Sequence, residues 1–268
     1  MTTNNKDFVT WFRNASSYIY QHRSKTFVIL LPSIALDRNN SLHIIHDLCL
    51  LVSLNIKLVV VIDIADEILA QLAQQDITPQ LDQGKLVVDD KLLQDIRNLS
   101  SNRLGQVESW LSMGAVNNPL SGIKIRTTTG NFISAQPHAI TNGVNFGNLG
   151  GIKNIDSDAI SLALNNNQLV LLNSLGYSST GDILYLDAGS IASSSACALG
   201  ADKLILLIAQ DGIYQGDTLV REIQGTQMQA YLADNSLNNT YLLQAALDAC
   251  NNGVGRCHFI SYHNHKAL

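Results

Sequence analysis

Lys25-Thr26-Phe27-Val28-Ile29-Leu30-Leu31-Pro32-Ser33 is the stretch that decides the fold. Its apolar run, Phe27 to Pro32, has the composition of a strand covered on both faces, as in a parallel α/β sheet. The turn leaving the carboxyl end of such a strand is where open α/β sheets bind ligands. A phosphate-binding turn needs glycines, so that backbone N–H groups can approach the phosphate. Here the turn reads Pro32-Ser33, and proline has no N–H and a fixed φ. The strand announces a ligand-binding fold, and the turn lacks the means to hold a phosphate.

Working outward, residues 7–22 place Phe8, Trp11, Phe12, Ala15, Tyr18 and Ile19 at amphipathic helical spacing. This N-terminal helix either packs on its own domain or is an arm exchanged with a neighbouring subunit. Residues 42–54 predict a helix with Ile44, Ile45, Leu48, Leu51 and Val52 on one face. A second buried strand follows over 57–62 and a helix over 65–75, an order that gives a parallel sheet with right-handed crossovers. A helix is expected over 91–113, interrupted near Ser100-Ser101-Asn102. Residues 123–126 and 130–135 read as a hairpin pair, and 143–155 as a glycine-containing β segment. Helices at 158–164, 190–199 and 241–251 alternate with strands at 169–172, 183–186, 204–209 and 257–261.

The totals exclude several function classes. The 268 residues are 46% hydrophobic and only 15% charged, against about 25% charged in typical domains. Net charge is −5 with no Lys/Arg cluster, which argues against nucleic acid as a partner. No apolar run approaches the roughly 20 residues of a membrane span, and residues 2–6 are polar with no secretory signal. The four cysteines, Cys49, Cys197, Cys250 and Cys257, form no CxxC pair, and the first three fall in expected helices. These features predict a cytoplasmic protein with reduced, structural thiols.

Tests for chemistry by motif return little. There is no GxxxxGK[ST], no GxGxxG after a strand and no GxSxG. Gly150-Gly151 reads as a turn or bulge, and Ser178-Ser179-Thr180-Gly181-Asp182 as a hairpin turn. His43 and His46 form a surface pair at i, i+3. His263 and His265 lack the closed ligand set that zinc wants. Spacing alone therefore assigns no catalytic residue, no metal and no cofactor.

Four stretches together carry a family resemblance. They are Lys25 to Ile29, Leu58-Val59-Val60-Val61, Gly130-Asn131-Phe132-Ile133-Ser134-Ala135-Gln136-Pro137 and Arg256-Cys257-His258-Phe259-Ile260-Ser261-Tyr262. In order and spacing the chain resembles, over nearly its whole length, the amino-acid-kinase-fold domain of bacterial N-acetylglutamate synthase. Gly200-Ala201-Asp202-Lys203-Leu204 with Asp211-Gly212 is similar to the broader kinase family. The resemblance implies a three-layer αβα sandwich with a mainly parallel central sheet, the carbamate-kinase-like fold. It implies one domain over residues 1–268, with residues 1–24 as an arm helix that builds homo-oligomers and the acetyltransferase domain absent. In the family, that further domain moves acetyl from acetyl-CoA to glutamate in arginine biosynthesis, and the kinase-like part carries the arginine feedback site.

Set against the family's active kinases, the chain departs at every phosphate-handling position. Leu30 stands where a strand lysine is expected, and Pro32 and Ser33 replace a glycine pair. Asp63 lies in the turn after the second strand, where a phosphate should rest. Leu86 matches a carboxylate-gripping arginine, Gly189 an organising aspartate (with Asp187 nearby), and Leu242 a second lysine. Phosphoryl transfer rests on positive charge and backbone donors around the phosphates, so a non-catalytic regulatory domain, a pseudokinase, is expected. The resemblance carries an arginine-type site onto Asn14, Tyr18, Ser53 and Lys57, with L-arginine as the ligand. The alternatives are a free-standing small-ligand sensor and an active N-acetylglutamate-type kinase.

Overall fold

The computed structural model describes residues 13, 16, 19–36, 41–82, 84–113, 124–140, 143–215, 217–223, 231, 232 and 240–263. Of the expected N-terminal arm, Arg13, Ser16 and residues 19–22 are helical. Asn14 and Tyr18, two of the four arginine-site candidates, lie outside the described residues.

Strand β1 (Thr26–Pro32) lies at the centre of a six-stranded sheet. Its neighbours are β2 (Lys57–Asp63), β8 (Gln168–Leu172) and β5 (Arg126–Thr128) on one side, and β11 (Lys203–Ile208) and β14 (Arg256–Ser261) on the other. Every pairing in this sheet is parallel. The period-two alternation of β1 divides its side chains between two cores. Phe27, Ile29 and Leu31 join Ile44, Ile45 and Leu48 of α1 (Ser41–Ser53), Ile68 and Leu72 of α2 (Ala65–Gln74), and Ile96, Val107 and Leu111 of α3 (Asp90–Met113). Val28 and Leu30 join α4 (Ser157–Asn165), α5 (Ala188–Ala198) and α6 (Thr240–Asn251) on the opposite face. Helices on both faces of a mainly parallel sheet are the three-layer αβα sandwich that the sequence predicts.

A second sheet of four strands runs in the order β10 (Ile183–Tyr185), β9 (Leu175–Tyr177), β6 (Ile133–Pro137), β7 (Gly150–Ile155). Two ribbons complete the β structure among the described residues: β3 (Leu81–Asp82) with β4 (Lys85–Leu86), and β12 (Ile213–Gln215) with β13 (Thr218–Val220).

Two local expectations are corrected. α3 runs unbroken through Ser100, Ser101 and Asn102, because Ser100 faces inward between Ile96 and Val107 and tertiary packing outweighs weak propensity. The strands near 126 and 133 form no hairpin. β5 is an edge strand of the large sheet beside β8, while β6 pairs with β7 in the small one. The short apolar runs identify strands without saying which partner each takes.

Candidate functional site

At the carboxyl end of the large sheet, Pro32 and Asp63 are register partners, so the turns after β1 and β2 lie side by side. Pro32 is extended (φ −63°, ψ 131°) and leads straight into a 3-10 turn, Ser33–Ala35, which Leu36 closes by donating its N–H to the Ser33 carbonyl at 3.0 Å. No glycine loop forms. The Ser33 hydroxyl is buried without a hydrogen-bond partner. This turn presents no row of N–H donors to an anion.

Asp63 closes β2 as its last residue, one position later than the sequence places the strand's end, and its side chain is buried. Its Oδ1 accepts the Ala65 N–H at 2.9 Å, holding the first turn of α2, and its Oδ2 accepts the Tyr241 hydroxyl at 3.4 Å. Burial pushes its pKa up to about 6, and the carboxylates of Asp187 and Asp66 add to the rise. Asp187 caps α5, accepting the Ser190 N–H at 2.6 Å. Gly189 allows α6 to come close: a Cβ there would meet Asp187 Oδ2 at 3.3 Å, Ala245 Cβ at 3.4 Å and Tyr241 Cδ2 at 3.6 Å. The Tyr241 and Tyr185 hydroxyls are held protonated by burial, with Asp63 the next cause for each. Leu30 and Leu242 are both deep in one apolar core, and Leu86 is half-buried in β4 against the other. What gathers at this end of the sheet is therefore three carboxylates, two phenols and hydrocarbon.

The amino end of the same sheet has the opposite character. His22 follows Ile19 on the arm helix, and its Nε2 lies 3.4 Å from Lys203 Nζ. Lys203 sits 5.2 Å above the Phe27 ring, which His22 meets edge-on at 5.6 Å. Asp202 holds this corner together, accepting the Thr26 N–H at 3.1 Å and pairing with Lys25 at 2.9 Å. On β14, His258 is the register partner of Ile205, and its Nε2 is buried without a hydrogen-bond partner. Burial, then Lys203, Arg256 and His22, hold the His258 imidazole below its usual pKa. Burial and Lys203 likewise lower His22.

The remaining arginine-site candidates are engaged elsewhere. Ser53 donates its hydroxyl to the Leu50 carbonyl at 2.6 Å within α1, and Lys57 Nζ reaches Asn165 Oδ1 at 2.7 Å on α4. The sequence motifs assign no role to Tyr241, Lys203 or His258. Lys203 and His258 stand inside the quoted family stretches, and Tyr241 immediately precedes Leu242, so the signal was adjacent in each case.

Among the described residues, no group of three or more His, Cys, Asp or Glu side chains is placed to hold a metal ion, and no helix is long and apolar enough to cross a membrane.

A parallel αβα sandwich whose ligand end lies beyond β1 and β2 defines a class, and comparison with known proteins agrees. The amino acid kinase family pattern matches residues 25–261, and the chain belongs to that family. More particularly, it is similar to the amino-acid acetyltransferase of Ectopseudomonas mendocina, 39% identical over 266 residues, which covers 98% of this chain and 61% of that protein. The acetyltransferase of Pseudomonas fluorescens is 37% identical with the same coverage. N-acetylglutamate synthase from Neisseria gonorrhoeae, solved with coenzyme A and L-arginine, superposes with a TM-score of 0.91 at 27% identity, over 96% of this chain and 61% of that one. Carbamate kinase from Giardia lamblia bound to AMP-PNP superposes at 0.62 with 15% identity, a likeness of fold alone. The chain thus spans 61% of the length of the acetyltransferases cited.

Proposed function

We propose that this chain is the non-catalytic, regulatory kinase-like part of an N-acetylglutamate synthase-type system, in which the old phosphate site has become structural. One observation carries the reading. The charges that bear on Asp63, at the turn that would cradle a phosphate, are the negative ones of Asp187 and Asp66. Phosphates are held by cations and backbone donors, and a buried carboxylate beside two others repels them. Leu30, Leu242, Pro32, Ser33, Leu86 and Gly189 supply no positive charge in compensation. Titration with magnesium-ATP in a calorimeter tests the reading. No heat of binding up to millimolar nucleotide is expected, and magnesium-dependent binding in the micromolar range overturns it.

The second reading, a sensor for an amino acid of the arginine type, draws on the amino-end corner. Lys203, His22 and the unpartnered Nε2 of His258 gather donors suited to a ligand carboxylate. The Neisseria relative was crystallised with L-arginine. Asn14, Tyr18, Ser53 and Lys57 stay in this reading as proposed contacts, which Ser53 and Lys57 would reach only after leaving their present partners. A thermal-shift screen over the amino acids tests it: arginine at millimolar concentration should raise the melting temperature, and no shift refutes it. Association through residues 1–24 and a cytoplasmic setting belong to the same proposal. Deleting the arm should lower the mass seen in light scattering.

A further inference from the structure

We propose that Cys250 and Cys257 are a redox-responsive dithiol, which a hydroperoxide closes into a disulfide between the end of α6 and the start of β14. Cys250 lies in the last turn of α6, and Cys257 is the second residue of β14. Their Sγ atoms are 3.4 Å apart, with Cys250 donating to Cys257. A disulfide needs about 2.05 Å, so the sulfurs must approach by a little over 1 Å. The turn between them contains Gly253 at φ +97°, so the backbone already doubles back to bring the two sulfurs together.

Their burial differs from that of Cys49. Cys49 is fully buried in α1, as an inert core thiol should be. Cys197, Cys250 and Cys257 are only partly buried. Cys197 is occupied with the Ala249 carbonyl at 3.9 Å and flanks the pair from α5, while Cys257 also reaches the Ala246 carbonyl at 3.5 Å. Cys257 packs against the core from β14, and burial raises its thiol pKa, so in this proposal Cys257 is the resolving sulfur and Cys250, at the end of α6, the one that reacts first.

The chemistry balances with hydrogen peroxide as oxidant. Cys250, as thiolate, attacks one peroxide oxygen; the O–O bond breaks and the released hydroxide takes a proton to become water. Cys250 is then a sulfenic acid, oxidised by two electrons. The Cys257 sulfur attacks it, the S–O bond breaks, and hydroxide leaves as water with the Cys257 proton. Two thiols and one peroxide give one disulfide and two waters. The product ties β14, the strand that carries His258, to α6, and a dithiol reductant reverses it.

Arg256 lies between the two cysteines, so trypsin separates them and leaves a joined pair of peptides only where the disulfide exists. The chain is treated with stoichiometric peroxide, denatured, alkylated with iodoacetamide and digested. The expected result is two alkylated thiols, Cys49 and Cys197, where the reduced protein shows all four, with the Cys250 and Cys257 peptides joined. C197S should keep the cross-link. C257S should lose it and leave a Cys250 sulfenic acid that dimedone captures. Four alkylated thiols, a cross-link involving Cys197, or Cys250 driven to sulfinic acid in the wild-type chain would each overturn the proposal.

Discussion

Tyr241 and Asp63, 178 residues apart in sequence, meet at 3.4 Å where the first turn of α6 crosses the end of β2. The contact places a phenol donor on the one oxygen of Asp63 that the backbone leaves open. Ala65 holds the other oxygen, so the carboxylate is partnered on both sides. Such a buried, doubly partnered acid fits the proposed reading, in which the turn holds no phosphate.

Asp63 should make stability depend on pH in an unusual direction. Its folded pKa is raised to about 6 from an ordinary value of 3.8. Below the ordinary value both states carry the proton. Between the two values the native state holds a proton that the unfolded chain has released, so stability falls as pH rises through about 6. Asp63→Asn should remove that slope and stabilise the protein at pH 7–8 by up to roughly 3 kcal/mol, since each pKa unit corresponds to about 1.4 kcal/mol. Urea melts of both proteins from pH 4 to 8 give the comparison; parallel curves would show that Asp63 does not ionise as described.

His258 should act with the opposite sign. Its folded pKa lies below the ordinary 6.5 because burial and the charges of Lys203, Arg256 and His22 resist the imidazolium. As pH falls through 6.5 the unfolded chain gains a proton that the native state refuses, and stability drops. His258→Asn should flatten this part of the curve and leave the Asp63 slope in place. A variant that follows the wild type below pH 6.5 would remove His258 from the account.

Much of this fold was legible because buried parallel strands are written as continuous apolar runs. Phe27 to Leu31, Leu58 to Ile62 and Leu204 to Ile208 each name a central strand directly. The edge and the second sheet were harder. Arg126–Thr128 and Ile133–Pro137 are short and half-exposed, and nothing local tells a strand which sheet it will join. At the site, the missing positive charges could be read by position, since Leu30 and Leu242 are hydrocarbon wherever they point. The Tyr241–Asp63 contact could not, because it joins residues whose proximity exists only once α6 has packed on α5.

Placing one lysine on β1 should not create a phosphate site. Leu30 is fully buried among Val28, Val59, Val61 and Leu206 in an apolar core. Leu30→Lys would bury an ammonium in hydrocarbon, which either unfolds the region or strips the lysine of its proton. A loss of at least about 3 kcal/mol in urea denaturation is expected, with no gain in ATP binding by calorimetry. A stable variant that binds magnesium-ATP would show that the cleft is one substitution from function.

Gly147 offers the sharpest test of packing, because both its conformation and its surroundings exclude a side chain. Its φ is +62°, and a Cβ would fall 2.3 Å from the Val88 carbonyl oxygen. That carbonyl is fixed: it accepts the Asn148 N–H at 2.7 Å, while the Val88 N–H reaches the Phe146 carbonyl at 3.1 Å. Together they seat Phe146, which is almost fully buried, beneath the start of α3. Gly84 has a similar φ of +75° but open space around it. Left-handed backbone costs a residue with a Cβ about 1 kcal/mol, so Gly84→Ala should lose about that much. Gly147→Ala adds a collision with backbone and should lose roughly 2–4 kcal/mol. Denaturant midpoints for the two variants separate strain from clash, and equal losses would show that the Val88 turn moves aside freely.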